Sequence, residues 1–286
     1  MDIEVVVEEE FEMITENCYV KDSLDWVLLH RKPKALTKDV KELGNVIEGV
    51  EGVGVGGRWG WGWSVGIMKV ISYNARGLAV VRKRWRFDIN PRKKFFCGVY
   101  SGIKVEFIDN FLIKSIWGDA PCDYSYQPSV GASGGLITMW DKSLIDVCSS
   151  MSFAHVIVVS GRVILTGEDV VVVNVYAPCE QIAKRDLWDR LVPLVMSKND
   201  SCLCLCGHFN SVRSIDERKG RKTVFRQMEA NLFNKFINDS LLLDLPICGR
   251  LFTWYPGDGV SMSRLDRFLL YEKWCEVWPN CIQDAC

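Results

Sequence analysis

Residues 170–178 read VVVVNVYAP and residues 202–210 read CLCLCGHFN. In both stretches a run of strand-forming residues stops at a small cluster of polar side chains. Four consecutive valines favour a pleated, buried strand, because branched side chains pack well there and lose little rotamer freedom. Cys202, Cys204 and Cys206 alternate with leucines, so on a strand the three thiols share one face. Between the two runs, Leu187, Trp188, Leu191, Leu194 and Val195 recur at helical spacing. Strand, helix, strand is therefore the expected order.

Working outward, further strands are expected at 68–73, 95–100, 135–140, 155–159, 162–166, 252–255 and 264–270. These segments are rich in Val, Ile and aromatics and are bounded by Gly, Asp, Asn or Pro. The neighbourhood of Gly161 and the tripeptide Gly167-Glu168-Asp169 read as tight turns of a meander. A second helix is expected over Met228, Leu232, Phe233, Phe236 and Ile237. Strands dominate and helices fall only between some of them. That distribution predicts an α/β fold of two packed, mostly antiparallel sheets flanked by helices, not a simple alternating βαβ chain.

The chain has 286 residues, 48% of them hydrophobic and 25% charged, which suits a globular protein with a sizeable core. Its net charge of −1 is unevenly distributed: residues 1–65 hold 7 Lys/Arg against 13 Asp/Glu, and the remainder holds 28 against 23. Residues 1–66 are expected to be an acidic leader followed by the Gly/Trp-rich linker GVGVGGRWGWGWSVG at 52–66, without regular structure. Gly52, Gly54 and Gly57 spell G-x-G-x-x-G, but neither a strand before them nor a helix after them is evident. The twelve cysteines lack zinc-ribbon spacing and are read as small hydrophobes of a thiol-reducing compartment. The acidic start Met1-Asp2-Ile3-Glu4 and the lack of an apolar run of about 18 residues imply an intracellular soluble chain, nuclear or cytoplasmic, with no membrane partner.

Several segments, in order, carry a resemblance. They are Ile71-Ser72-Tyr73-Asn74, Ser133-Gly134-Gly135-Leu136, Asn174-Val175-Tyr176-Ala177-Pro178, Gly207-His208-Phe209-Asn210, Thr253-Trp254 and Ser263-Arg264-Leu265-Asp266-Arg267. Together they resemble the endonuclease/exonuclease/phosphatase domain of plant LINE-type (non-LTR) retrotransposons over residues 67–286. The resemblance implies a four-layer α/β sandwich and a Mg²⁺-dependent endonuclease that cleaves a DNA phosphodiester. In such chemistry a carboxylate holds the metal, an Asp positions or deprotonates water, and Asn side chains stabilise the crowded phosphate.

Carried onto this chain, the resemblance places Asn74 near the metal, Tyr176 on the phosphate with Asn174 beside it, Asn210 on the transition state, and Asp266 behind a catalytic His. Three roles are not matched. The position of the metal-binding Glu is Gly102, the catalytic Asp is His208, and no Ser-Asp-His motif follows before Cys286, so the last strand of the fold is expected to be missing. An open sheet edge is the corresponding expectation. A 10⁴-fold loss of rate corresponds to about 5.5 kcal/mol of barrier, so hydrolysis should be impaired and Mg²⁺ binding weakened. His208 is read as a replaced Asp in preference to a working base or metal ligand, and Asp186 and Asp189 as helix-face charges.

Two basic stretches bear on partners. Arg213, Arg218, Lys219, Arg221 and Lys222 follow the Gly-His-Phe-Asn segment and could position DNA through its phosphates. Arg82, Lys83, Arg84, Arg86, Arg92, Lys93 and Lys94 form a second stretch, interrupted by Pro91. No small-molecule cofactor is implied. A non-catalytic nucleic-acid-binding module and a retrotransposon relic without function are the alternatives to an impaired nuclease.

Overall fold

The structure is a computed structural model that describes residues 26–31, 69–75, 96–104, 107–129, 134–220, 224–255 and 258–285. In chain order its elements are β1 (Trp26–Arg31), β2 (Val70–Asn74), β3 (Cys97–Ile103), α1 (Asn110–Trp117), β4 (Cys122–Gln127), β5 (Gly135–Asp141), β6 (Ile145–Phe153), β7 (Val156–Val163), β8 (Asp169–Tyr176), α2 (Gln181–Met196), β9 (Cys202–His208), β10 (Arg218–Lys219), α3 (Gln227–Asp239), β11 (Leu243–Asp244), β12 (Ile247–Gly249), β13 (Met262–Ser263), β14 (Asp266–Leu270), α4 (Glu272–Val277) and β15 (Cys281–Ala285). They form a seven-stranded sheet in the order β12-β15-β1-β2-β3-β5-β4 and a six-stranded sheet in the order β11-β14-β9-β8-β7-β6. Most ladders are antiparallel, with parallel pairs at β2/β3, β8/β9 and β12/β15.

The strand period assigns the layers. Val170 and Val172 on β8, Cys202, Cys204 and Cys206 on β9, and Phe268 and Leu270 on β14 face inward, against Val70, Val99, Leu136 and Trp140 of the other sheet. Trp274 and Trp278, in and after α4, complete this inter-sheet core. The intervening residues Val171, Val173, Val175, Leu203, Leu205 and Leu269 face outward onto Leu187, Trp188 and Leu191 of α2 and Phe233 and Phe236 of α3. The other sheet's outer face packs Tyr73, Tyr100, Ile137 and Met139 against Leu112, Ile113, Ile116 and Trp117 of α1. Burial on both faces is why β8 and β9 read as nearly continuous apolar runs. Each fully buried Val or Leu contributes about 1.5–3 kcal/mol.

Two polar side chains join the sheets. Asn174 Nδ2 on β8 donates to Tyr100 O, Ile137 O and Thr138 Oγ1 of the seven-stranded sheet, at 3.3, 3.0 and 3.2 Å. Gln283 on β15 accepts from Phe268 N at 3.2 Å and donates to Asp266 O at 3.2 Å, using its amide as a strand would use a peptide group.

Several expectations need correction. Residues 155–166 do not form two strands with a turn at Gly161. β7 runs through Gly161 as one strand, because its missing Cβ leaves room where a methyl would meet Asp146 O at 2.6 Å opposite a bulge. The chain reverses later, at Gly167 (φ 74°). Residues 252–255 make one bridge, Trp254 to Ser263, and no strand; the Thr253 hydroxyl accepts from Leu265 N and Asp266 N instead. Met228 is exposed although it fits the helical period of α3. The expected structureless leader contributes β1, which pairs with β2 and with β15, so the sheet has no open edge beside β2. The linker at 52–66 and the basic stretch at 82–94 lie outside the described residues.

Gly207 (φ 130°) has Val175 O 2.2 Å from where a Cβ would stand. Gly207→Ala should cost at least ~3 kcal/mol, because the strain and the backbone clash have no flexible side chain to absorb them. Thermal denaturation followed by circular dichroism should show Tm lower by roughly 6–12 °C. An unchanged Tm would contradict the packing described.

Candidate active site

At one end of the two sheets the inward face turns from apolar to polar. β8, β9 and β14 deliver Asn174 and Tyr176, His208, and Asp266 respectively, and β2 ends in buried Asn74. The register sets the array: Tyr176 is opposite His208 on the parallel pair, and His208 is opposite Asp266 on the antiparallel pair. The Tyr176 and His208 rings lie 5.9 Å apart, tilted by 42°. Burial, helped by nearby Cys179 and Asp266, raises the Tyr176 phenol above its ordinary value.

His208 is saturated. Its Nδ1 lies 2.9 Å from Asp266 Oδ1 and its Nε2 lies 3.0 Å from Asn210 Oδ1. The Asn210 amide is oriented by its Nδ2, which donates to Ala177 O at 2.6 Å, leaving Oδ1 toward the imidazole. Both ring nitrogens therefore already have a protein oxygen within hydrogen-bond distance. With both nitrogens occupied by protein partners, the ring presents neither of them to a metal or to water in this arrangement. Among the described residues Asp266 Oδ2 has no hydrogen-bond partner, although the residue is 2% exposed.

Asn210 sits at φ 50°, a left-handed conformation that Asn tolerates better than most residues. Its carbonyl accepts from Lys184 Nζ of α2 at 2.7 Å, and Lys184 is itself paired with Glu229 of α3 at 3.2 Å. Lys184 is 5% exposed and escaped the sequence reading, because a lysine on a helix is normally a solvated charge. Its signal was weak: position 184 lies one turn before the apolar stripe at Leu187, Trp188 and Leu191.

The structure brings Tyr176, His208, Asn210 and Asp266 into one contiguous cluster and buries Asn74 at the end of β2. Asn174 is 0% exposed, and its amide is spent on holding the sheets together. The basic candidates divide. Arg213 is tied down by Asn234 Oδ1 at 2.7 Å and Asp244 Oδ2 at 3.0 Å. Arg218 is half-buried and donates to Ser263 Oγ at 3.2 Å. Lys219 is exposed, its ammonium 5.3 Å from the Phe252 ring centre. Arg221 and Lys222 lie outside the described residues.

The residues present do not fit the Mg²⁺ that the resemblance implies. Mg²⁺ requires oxygen ligands in near-octahedral geometry, usually with a carboxylate. Gly102 offers none: it sits at φ 68° in a β-bulge of β3, and a Cβ on neighbouring Gly134 would stand 2.4 Å from its Cα. Among the described residues no three His, Cys, Asp or Glu side chains are grouped to hold a metal ion.

No sequence-family profile matches the chain, and no curated protein matches it in sequence. Solved structures do match in shape. The AP endonuclease LMAP from Leishmania major is similar with a TM-score of 0.55 at 12% identity, covering 71% of this chain and 79% of that one. The endonuclease domain of TRAS1, a telomere-specific non-LTR retrotransposon, is similar with a TM-score of 0.51 at 14% identity, covering 72% and 86%. An endonuclease/exonuclease/phosphatase family protein from Bacteroides thetaiotaomicron has a TM-score of 0.43 at 12% identity, covering 62% and 69%.

Two measurements test the cluster. Asp266→Ala should cost about 1–3 kcal/mol, because it leaves a buried imidazole nitrogen without its hydrogen-bond partner. A double-mutant cycle with His208→Ala should return a coupling of about 2–3 kcal/mol, and a coupling near zero would mean that the pair is not formed. The Glu229 carboxyl is pushed up by burial but pulled down further by Arg226 and Lys184, for a net depression. A depressed carboxylate stabilises the fold above its unfolded value of about 4.3 and loses that contribution as pH falls through the folded value. The stability gap between the native chain and Glu229→Gln should therefore close below roughly pH 4, as read by urea titrations at several pH values.

These strands and this polar cluster lie in an α/β sandwich of mixed sheets packed with helices, the fold of the endonuclease/exonuclease/phosphatase type.

Proposed function

We propose that this chain is a LINE-type endonuclease domain whose phosphodiester hydrolysis is impaired and which engages DNA without cleaving it efficiently. The observation that carries the reading is the saturated imidazole of His208, held at both nitrogens by Asp266 and Asn210. An Asp there could take a proton from water or help hold a metal. This histidine can do neither until Asn210 lets go. Gly102 adds to the deficit, since its bulged backbone carries no carboxylate.

The surrounding groups still suit a phosphate. Tyr176 presents a half-buried phenol at the rim of the cluster, and Asn210 retains one further N–H. The fold alone is shared with nucleases such as the AP endonuclease LMAP, and this supports nucleic acid as the polyanion concerned. Lys219 is an exposed cation at the short β10/β13 pair, suited to positioning a phosphate backbone without reading bases.

Supercoiled plasmid incubated with the purified chain and Mg²⁺ should show nicking no faster than the EDTA control. DNA should still be retained in a filter assay, with log affinity falling linearly with log salt. Nicking that requires Mg²⁺ and disappears in Asn210→Ala would overturn the impaired reading. Salt-independent retention, or none by a folded chain, would remove the DNA-binding half of it.

A further inference from the structure

β1 occupies an interior position that no short connection explains. It runs antiparallel to β2, with Trp26 opposite Tyr73 and Leu29 opposite Val70, and antiparallel to β15, with Val27 opposite Ala285 and Arg31 opposite Cys281. Residues 32 to 69 separate it from β2 in the chain, and β15 lies at the far end of the sequence.

The strands it joins serve different halves of the polar cluster. β2 ends in Asn74. β15 carries Gln283, whose amide grips the backbone of Asp266 and Phe268. Without β1 these two strands would face each other across a gap one strand wide, roughly 9–10 Å, with two rows of unpaired N–H and C=O groups. Unpaired rows of this kind bind an extended segment through main-chain hydrogen bonds. The sequence of β1 suits such a place: Trp26-Val27-Leu28-Leu29 is a continuous apolar run.

We propose that the edges of β2 and β15 form a strand-acceptor groove, and that Trp26–Arg31 of the same chain is its occupant, an N-terminal insert that holds the two halves of the site together. The geometry favours the chain's own segment over that of a second copy. Because β1 and β2 are antiparallel, Arg31 and Val70 lie at the same end of the sheet, so the connection needs to span little more than one strand spacing. Loop closure costs grow only slowly with length, and a tethered strand has a high effective concentration at its groove. On this assignment the minimal domain begins before Trp26, not at residue 67.

The test uses the full chain carrying Leu28→Cys and Ile71→Cys, which are opposite one another in the register and share a face. Mild oxidation with diamide should give a disulfide within one molecule, located by peptide mass mapping of the monomer. A second measurement compares hydrogen exchange of the full chain with that of a chain lacking residues 1–34, with and without a synthetic peptide of residues 24–33. The β2 and β15 amides should lose protection in the shortened chain and regain it saturably with peptide. A folded full chain that forms no 28–71 crosslink overturns the proposal, as does a crosslink found only between two molecules. Undiminished protection of β2 and β15 in the shortened chain overturns it too. If the shortened chain does not fold, the crosslink alone decides. None of these readouts passes through nucleic acid, so they stand or fall apart from the phosphodiester reading.

Discussion

A buried imidazole and a buried carboxylate, His208 and Asp266, lie 2.9 Å apart where the inter-sheet core stops being apolar. At that depth neither group can rely on water, so each must be satisfied by the other and by neighbours fixed in place. That requirement reaches outward. Asp266 is held by Thr253 and Gln283 through its backbone, and His208 is backed by Asn210. Asn210 in turn depends on Ala177 and on Lys184, whose position is set by two helices. The arrangement of strands, helices and the loop after β9 converges on satisfying this one pair.

A second buried ionic group supports the same loop from the opposite face. Arg264 and Arg267 meet Glu217 and Asp244, and Arg213 joins them at Asp244. Arg267 is fully buried and also lies over the Phe233 ring, 5.5 Å from its centre. The network ties the segment after Asn210 to β11 and β14 and spends Arg213 on structure. Adjacent residues of β14 thus face different tasks: Asp266 points into the polar cluster and Arg267 into the helical layer, because strand side chains alternate.

The strands β2, β3, β5, β8, β9 and β14 were legible in the sequence, since each is a run of buried branched or aromatic residues. So were α2 and α3, whose apolar residues repeat at helical spacing. β4 and β6 were missed. They are edge strands with many half-buried or exposed residues, and CDYSYQ and IDVCSSMSF carry little apolar signal. Gly161 was misjudged as a turn because local sequence cannot show the bulge across from it. In the site, Asn74, Tyr176, His208 and Asp266 were legible only through the ordered motifs that carry the family resemblance, not from periodicity. Lys184 was not, because its partners Asn210 and Glu229 come from elements far along the chain.

The sequence by itself determined the buried strands β2, β3, β5, β8, β9 and β14 and the helices α2 and α3, and it placed polar residues such as Asn174 and His208 within or beside those strands. Periodicity and side-chain shape are local properties, and they suffice for that. Only the tertiary structure decided what those polar residues do with their hydrogen bonds. It turned Asn174 into a clamp between sheets, closed His208 between Asp266 and Asn210, and set β1 between β2 and β15. Those outcomes depend on donors and acceptors brought together from distant parts of the chain, and a buried polar group takes whichever partner the packing supplies.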